Sequence, residues 1–338
     1  MLIVLSPTAD SRAVETVSAE VTRLGCNPRI MTHDRRTVIG VGGGLPPDSG
    51  MDRLGSLAGV DRVLATPKRY KLASRDFQPA DSVVGVDGVL VGGGHFQVIA
   101  GPCAVESREQ LRTTVANLAA AGVKIIRGGA YKPRTSPYDF QGLGHAGLEL
   151  LAEARAEYGV RVVTEVISAL HIEEVAEVAD ILQIGSRNAQ NYELLSTVAG
   201  AGRPVLLKRG MATSVDEWLS AAEYLMVNGC SDIILCERGI KTFETGLRNT
   251  LDVGGIALAK RETHLPVIVD PSHAAGCRDL VAPLAMAGIA AGADGVIVES
   301  HCNPGAALCD SAQQLPTTEM PAFLRQVNNL AAAVQRMH

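Results

Sequence analysis

From residue 96 onward, short apolar runs alternate with amphipathic stretches, at residues 97–100, 124–127, 161–165, 181–184, 205–208, 232–236, 267–270 and 295–299. A strand buried on both faces loses the apolar-polar alternation of a half-exposed strand and reads as continuous Val, Ile and Leu. Eight such runs with helical segments between them predict a (β/α)8 barrel over residues 96–338. Nearly every run ends on a charged or polar residue. In a barrel those ends share the C-terminal face, where active sites are built.

The first 66 residues follow another pattern: strand 2–5, helix 9–24, strand 28–31, strand 37–41, helix 51–57 and strand 60–65. This βαββαβ order predicts a small ferredoxin-like α+β domain over residues 1–66. Gly42-Gly43-Gly44 and Pro46-Pro47 punctuate it. The polar stretch from Pro67 to Asp81 reads as a linker. A hairpin follows, with residues 83–86 and 89–91 turning at Asp87-Gly88, so that residues 67–95 form a linker and hairpin ahead of the barrel.

Composition narrows the function. With 46% apolar and 20% charged residues the chain is ordinary globular protein, and its net charge of -5 argues against nucleic acid or anionic membranes as partners. No run approaches the ~18 apolar residues of a membrane span, and the N-terminus lacks the basic flank and cleavage site of a signal peptide. The seven cysteines are scattered without a CxxC, which fits reduced thiols and a cytoplasmic location.

Basic residues that matter must therefore be focused locally, and the strand ends supply them. In order, these ends carry Cys103; Arg127 with Lys132 and Arg134; Glu165; Ser186-Arg187; Lys208; Glu237-Arg238; Asp270 with His273; and Glu299 followed by Asp310. One charged strand end is ordinarily a solvated rim residue, but like charges converging from every strand destabilise a fold unless ligands or counter-charges offset them. Arg127, Lys132, Arg134, Arg187, Lys208 and Arg238 exceed what one monophosphate needs and predict two anionic groups on the substrates. The loop Lys132-Pro133-Arg134-Thr135-Ser136 has the chemistry of a phosphate cradle. Cys103, His273, Glu299 and Asp310 form a mixed sulfur, nitrogen and oxygen set suited to a divalent transition metal.

Several segments together resemble the 3-deoxy-D-arabino-heptulosonate 7-phosphate (DAHP) synthase family, type I beta. They are Gly101-Pro102-Cys103-Ala104-Val105-Glu106-Ser107, the run from Arg127 through Lys132-Pro133-Arg134-Thr135-Ser136, Gln183-Ile184-Gly185-Ser186-Arg187, Leu207-Lys208-Arg209-Gly210, Leu235-Cys236-Glu237-Arg238-Gly239 and Val269-Asp270-Pro271-Ser272-His273. The resemblance implies a metal-dependent condensation of phosphoenolpyruvate with erythrose 4-phosphate, the first step of the shikimate pathway. It implies Cys103, His273, Glu299 and Asp310 as ligands of Mn, Co, Fe or Zn. Arg127, Lys132, Glu165, Gly185, Ser186, Arg187, Lys208, Arg238 and Asp270 would surround phosphoenolpyruvate, and Arg134, Thr135 and Ser136 would take the phosphate of erythrose 4-phosphate. Lys132, with its pKa lowered by crowded cations, is the expected acid toward the aldehyde oxygen, and Glu165 is expected to orient or activate water. Either Cys302 or Cys309 could pair with Cys103 on oxidation.

The resemblance further implies a homotetramer and feedback regulation by an aromatic amino acid, Tyr or Phe, through residues 1–66, although Arg29 and Met31 form no obvious hydroxyl-recognition pair. The nearest alternative is 3-deoxy-D-manno-octulosonate 8-phosphate synthase, whose members carry a Lys-Ala-Asn-Arg-Ser-type loop where this chain has Pro133-Arg134. A non-catalytic amino-acid-sensing barrel would have lost a metal ligand or a phosphate arginine, and none is lost here.

Overall fold

The structure, a computed structural model, describes residues 1–33, 36–43 and 48–335. The N-terminal unit contains β1 (Leu2–Leu5), α1 (Ser11–Arg23), β2 (Asn27–His33), β3 (Arg36–Gly42), α2 (Asp48–Gly55) and β4 (Val60–Leu64). Its antiparallel sheet has the order β2-β3-β1-β4 expected of a ferredoxin-like unit. Of the predicted punctuation, Gly44, Pro46 and Pro47 lie outside the described residues. The apolar run of β1 is explained by burial on both faces. Ile3 and Leu5 pack with Val17, Val21 and Leu54 under the two helices, while Leu2 and Val4 join the cluster containing Tyr70, Leu72 and Phe77.

That second contact shows that the segment read as a linker is packed against the rest of the chain. Leu72 and Ala73 donate their backbone N–H groups to Glu223 at 3.0 Å each, and Thr263 Oγ1 donates to Ala73 O. Lys68 pairs with Glu262 at 2.9 Å, and Arg75 Nε donates to Lys260 O at 3.0 Å. The polar composition hides four residues, Tyr70, Leu72, Ala73 and Phe77, that are buried against the sheet and barrel. The segment is a strap fastened along its length.

The hairpin forms as predicted, with β5 (Val84–Val86) and β6 (Val89–Val91) joined through Asp87 and Gly88. Both turn residues have positive φ, 42° and 87°, as a tight two-residue hairpin requires.

Eight parallel strands then close the barrel: β7 (Gln97–Gly101), β8 (Ile125–Arg127), β9 (Arg161–Glu165), β10 (Ile181–Ile184), β11 (Val205–Lys208), β12 (Ile233–Glu237), β13 (Val267–Val269) and β14 (Gly295–His301). Closure comes from the β14 pairings to both β7 and β13. Each strand contributes one interior residue to a single apolar layer: Ile99, Ile125, Val163, Ile181, Leu206, Ile234, Ile268 and Ile297. Val84, Val86 and Val91 of the hairpin pack on the same layer and plug the N-terminal end. Among the described residues, no helix is long and apolar enough to cross a membrane.

Candidate active site

Side chains of a strand alternate between its faces, so the next inward position lies two residues beyond the apolar layer. Counting forward gives Gly101, Arg127, Glu165, Gln183, Lys208, Cys236, Asp270 and Glu299. One rule thus turns five of the predicted charges, Arg127, Glu165, Lys208, Asp270 and Glu299, toward the barrel axis at the mouth end. It also yields Gln183, which reading strand ends had missed and whose Nε2 lies 3.3 Å from Glu165 Oε2. By the same alternation Glu237 points outward, where it is buried against Arg209 at 3.0 Å, so it does not belong to the mouth.

Two glycines are required by close approach. A Cβ on Gly101 would stand 1.9 Å from Arg127 O, and one on Gly185 would stand 1.9 Å from Glu165 Oε1.

The mouth is a cavity of about 410 Å3. Eight cationic side chains line it (Arg127, Lys132, Arg134, Arg187, Lys208, Arg238, Lys241 and Arg248), against the carboxylates of Asp139, Glu165 and Asp310. The first six were read from the sequence; Lys241 and Arg248 were not, because they lie on the long loop after β12. Thr135, Gly185 and Ser186 also line the cavity, whereas Ser136 Oγ is turned to Tyr138 N at 3.3 Å within its own loop. Arg187 Nη2 stands 3.5 Å from Thr135 Oγ1. Arg127 Nε and Ser186 Oγ are buried without a hydrogen-bond partner among the described residues. An anion in the cavity would satisfy both donors.

Asp270 lies behind this lining. Its Oδ2 accepts from Lys208 Nζ at 2.5 Å and His273 Nδ1 at 2.7 Å, and its Oδ1 caps the short helix Pro271–Ala275 by accepting from His273 N at 3.0 Å. Burial works to raise the Asp270 carboxyl, but His273 and Lys208 hold it well below the usual carboxylate range. Burial lowers His273, which keeps the imidazole neutral, and the Asp270 contact assigns the ring proton to Nδ1. The lone pair of Nε2 is then free to face Glu299 Oε1 at 3.5 Å and Asp310 Oδ2 at 3.9 Å.

The four predicted metal ligands come together across 207 residues of chain. Cys103 Sγ lies 3.6 Å from Asp310 Oδ2, and donor atoms of Cys103, Glu299 and Asp310 all fall within 4.8 Å of one another. One sulfur, one neutral imidazole and two carboxylates fit a divalent transition ion. Burial works against the Glu299 carboxylate, but His273, Arg127 and Lys132 hold its pKa below the ordinary value. Cys103 is pushed upward by its hydrogen bond with Cys309, by burial and by Glu299. Cys309 shares a small buried cluster with Cys103 and Ala104, while Cys302 Sγ faces Gln110 O at 3.8 Å; Cys309 is therefore the cysteine next to Cys103.

Lys132 differs from expectation. Its Nζ lies 3.0 Å from Cys103 O and 3.1 Å from Cys103 Sγ. Burial and Arg127 act to lower its pKa, but Cys103, Cys309 and Glu299 outweigh them and the net shift is upward. The neighbours that set this direction, Cys103, Cys309 and Glu299, were not revealed by sequence spacing.

Fold and mouth together define a (β/α)8 barrel of the enzyme class, with a cavity lined by eight cationic side chains beside a candidate metal centre. The chain belongs to the DAHP synthetase I family, whose sequence profile matches residues 73–336, and residues 1–66 match the DAHP synthase ferredoxin-like domain. It is 48% identical over 338 residues to the phospho-2-dehydro-3-deoxyheptonate aldolase of Thermotoga maritima, covering 99% of this chain and 98% of that protein. A crystal structure of DAHP synthase from that organism superimposes with a TM-score of 0.78 at 46% identity, covering 98% of this chain and 97% of the other. The 2-dehydro-3-deoxyphosphooctonate aldolase of Acidithiobacillus ferrooxidans is 32% identical over 259 residues, covering 71% of this chain and 91% of that protein.

Proposed function

We propose that the chain condenses phosphoenolpyruvate with D-erythrose 4-phosphate and water, giving 3-deoxy-D-arabino-heptulosonate 7-phosphate and inorganic phosphate, with a divalent metal held by Cys103, His273, Glu299 and Asp310. The observation that carries this reading is the eight-cation lining of one cavity directly beside that donor set. A bound divalent ion would supply Lewis-acid polarisation of the aldehyde oxygen.

Arg127, Lys208 and Arg238, with Ser186 and Arg187, fix the phosphate and carboxylate of phosphoenolpyruvate so that its C3 faces the aldehyde carbon. Arg134 and Thr135 take the sugar phosphate. The enol electrons form the new carbon–carbon bond, and the ammonium of Lys132 delivers its proton to the aldehyde oxygen. Glu165, oriented by Gln183, takes a proton from the water that adds at C2. The resulting hemiketal phosphate collapses with cleavage of its C–O bond to leave the ketone and free phosphate.

Mn, Fe, Co and Zn all suit the donor set. Residues 1–66 are proposed to bind an aromatic amino acid, Tyr or Phe, with different affinity in two states of the enzyme, and the assembly is proposed to be a homotetramer. Phosphate release measured with both substrates tests the reading. It should require phosphoenolpyruvate and the aldose phosphate together, stop on chelation and return with Mn2+ or Co2+. Full turnover in excess chelator would exclude the metal, and release of phosphate without the aldose would exclude the condensation.

A further inference from the structure

Next to the candidate ligands lie two consecutive glutamines, Gln313 and Gln314, 2% and 0% exposed. Gln313 Nε2 donates to Glu299 Oε2 at 2.6 Å, and Gln313 Oε1 accepts from Arg248 Nη1 at 2.9 Å. Gln314 Oε1 accepts from Cys103 N at 3.2 Å, and Gln314 Nε2 donates to Cys309 O at 2.9 Å. The amide orientations are forced, since a guanidinium and a backbone N–H only donate, while an ionised carboxylate and a backbone carbonyl only accept. At both positions the site needs a donor and an acceptor on one side chain of this length.

A second observation concerns Asp310. Its φ of 49° is left-handed, a conformation that a non-glycine residue keeps only when its surroundings impose it. Three contacts do so: Gln313 N donates to Asp310 O at 3.3 Å, Arg248 Nη1 sits 3.0 Å from Asp310 Oδ2, and Gln314 holds the preceding carbonyl. Immediately afterwards the chain is anchored by β15 (Leu315–Pro316), which pairs with Ser300 and His301 of β14.

We propose that Gln313 and Gln314 are positioning residues that preassemble the metal centre, Gln313 by fixing Glu299 against Arg248 and Gln314 by fixing Cys103 against the Cys309-Asp310 turn. This rests on the metal reading given above. Each amide aims a first-contact ligand without touching the ion, and loss of such support ordinarily costs about 10–100-fold in metal affinity.

The test uses the full chain stripped of metal and measures Mn2+ and Co2+ dissociation constants by chelator competition, together with the cobalt–thiolate absorption band and the melting temperature of the metal-free protein. Gln313→Met and Gln314→Met keep volume and remove the amides. Both should bind metal about 10–100-fold more weakly, and only Gln314→Met should shift the cobalt–thiolate band, because it alone releases Cys103. Gln313→Glu, which sets a carboxylate against Glu299, should weaken binding at least as much as Gln313→Met. If a Met variant does not fold, Gln313→Asn or Gln314→Asn, which retracts the amide by one methylene, should show the same loss.

A folded variant with lowered melting temperature and unchanged metal affinity would overturn the proposal and leave a purely structural role. Parent protein that binds neither ion, or gives no thiolate band with Co2+, would instead overturn the metal reading and this inference with it.

Discussion

Replacing Asp270 by Asn probes the support behind the mouth. In the parent, one carboxylate oxygen, Oδ2, serves both Lys208 Nζ and His273 Nδ1, while Oδ1 accepts the backbone N–H of His273. Asn cannot reproduce this. With its oxygen toward Lys208 and the imidazole, its NH2 meets the backbone N–H; with the amide reversed, its NH2 meets the ammonium. In either orientation Lys208, with only 5% of its side chain exposed, loses its buried counter-charge.

Removing one member of a buried pair costs about 3–5 kcal/mol. At about 2–4 °C per kcal/mol, that corresponds to a fall in melting temperature of roughly 6–20 °C for a barrel of this size. Thermal melts of the metal-free proteins check it. Because the Asp270 pKa is depressed, its contribution is fully present above the unfolded value of 3.8 and fades only as pH falls toward the lower folded value. The gap between parent and variant should therefore persist through neutral and mildly acidic pH. A variant melting within about 2 °C of the parent at pH 7 would refute the claim that Asp270 balances Lys208.

Other outcomes follow from the same geometry. Converting Pro133-Arg134 to Ala-Asn should raise KM for erythrose 4-phosphate by 10-fold or more, on the order of one lost charge-assisted hydrogen bond, with little change for phosphoenolpyruvate; equal losses would contradict the division of the mouth. Deleting residues 1–66 should abolish inhibition by Tyr and Phe, and inhibition that survives the deletion would sink the gating role of that unit. Peroxide should oxidise Cys103 and Cys309 of the metal-free chain to a disulfide, with reduction of the peroxide to water, and Co2+ binding should be lost until dithiothreitol is added. Cys302→Ser should behave as the parent does, and an unchanged free-thiol count would exclude the reaction.

The barrel was legible because burial on both faces forces uninterrupted apolar runs, and strand alternation converts those runs into a list of mouth residues. Arg127, Glu165, Lys208, Asp270 and Glu299 were readable on that basis, and Gln183 would have been found by counting two positions past Ile181. Residues on long loops obey no such period. Arg248, Gln313 and Gln314 meet the candidate metal ligands because the loops after β12 and β14 fold onto each other. The packing of the linker was not legible for a different reason: its polar residues are engaged side by side with Tyr70, Leu72, Ala73 and Phe77, and composition averages the two sets. The Lys132 shift was unreadable because its sign depends on Cys103, Cys309 and Glu299 closing around it.

The most direct test of the account is a side-by-side assay of phosphate release from phosphoenolpyruvate with Mn2+ and either erythrose 4-phosphate or arabinose 5-phosphate. The account predicts turnover with the four-carbon sugar, at most weak turnover with the five-carbon sugar, and a product one carbon shorter than an octulosonate. Preference for arabinose 5-phosphate, or turnover with neither sugar, would contradict it.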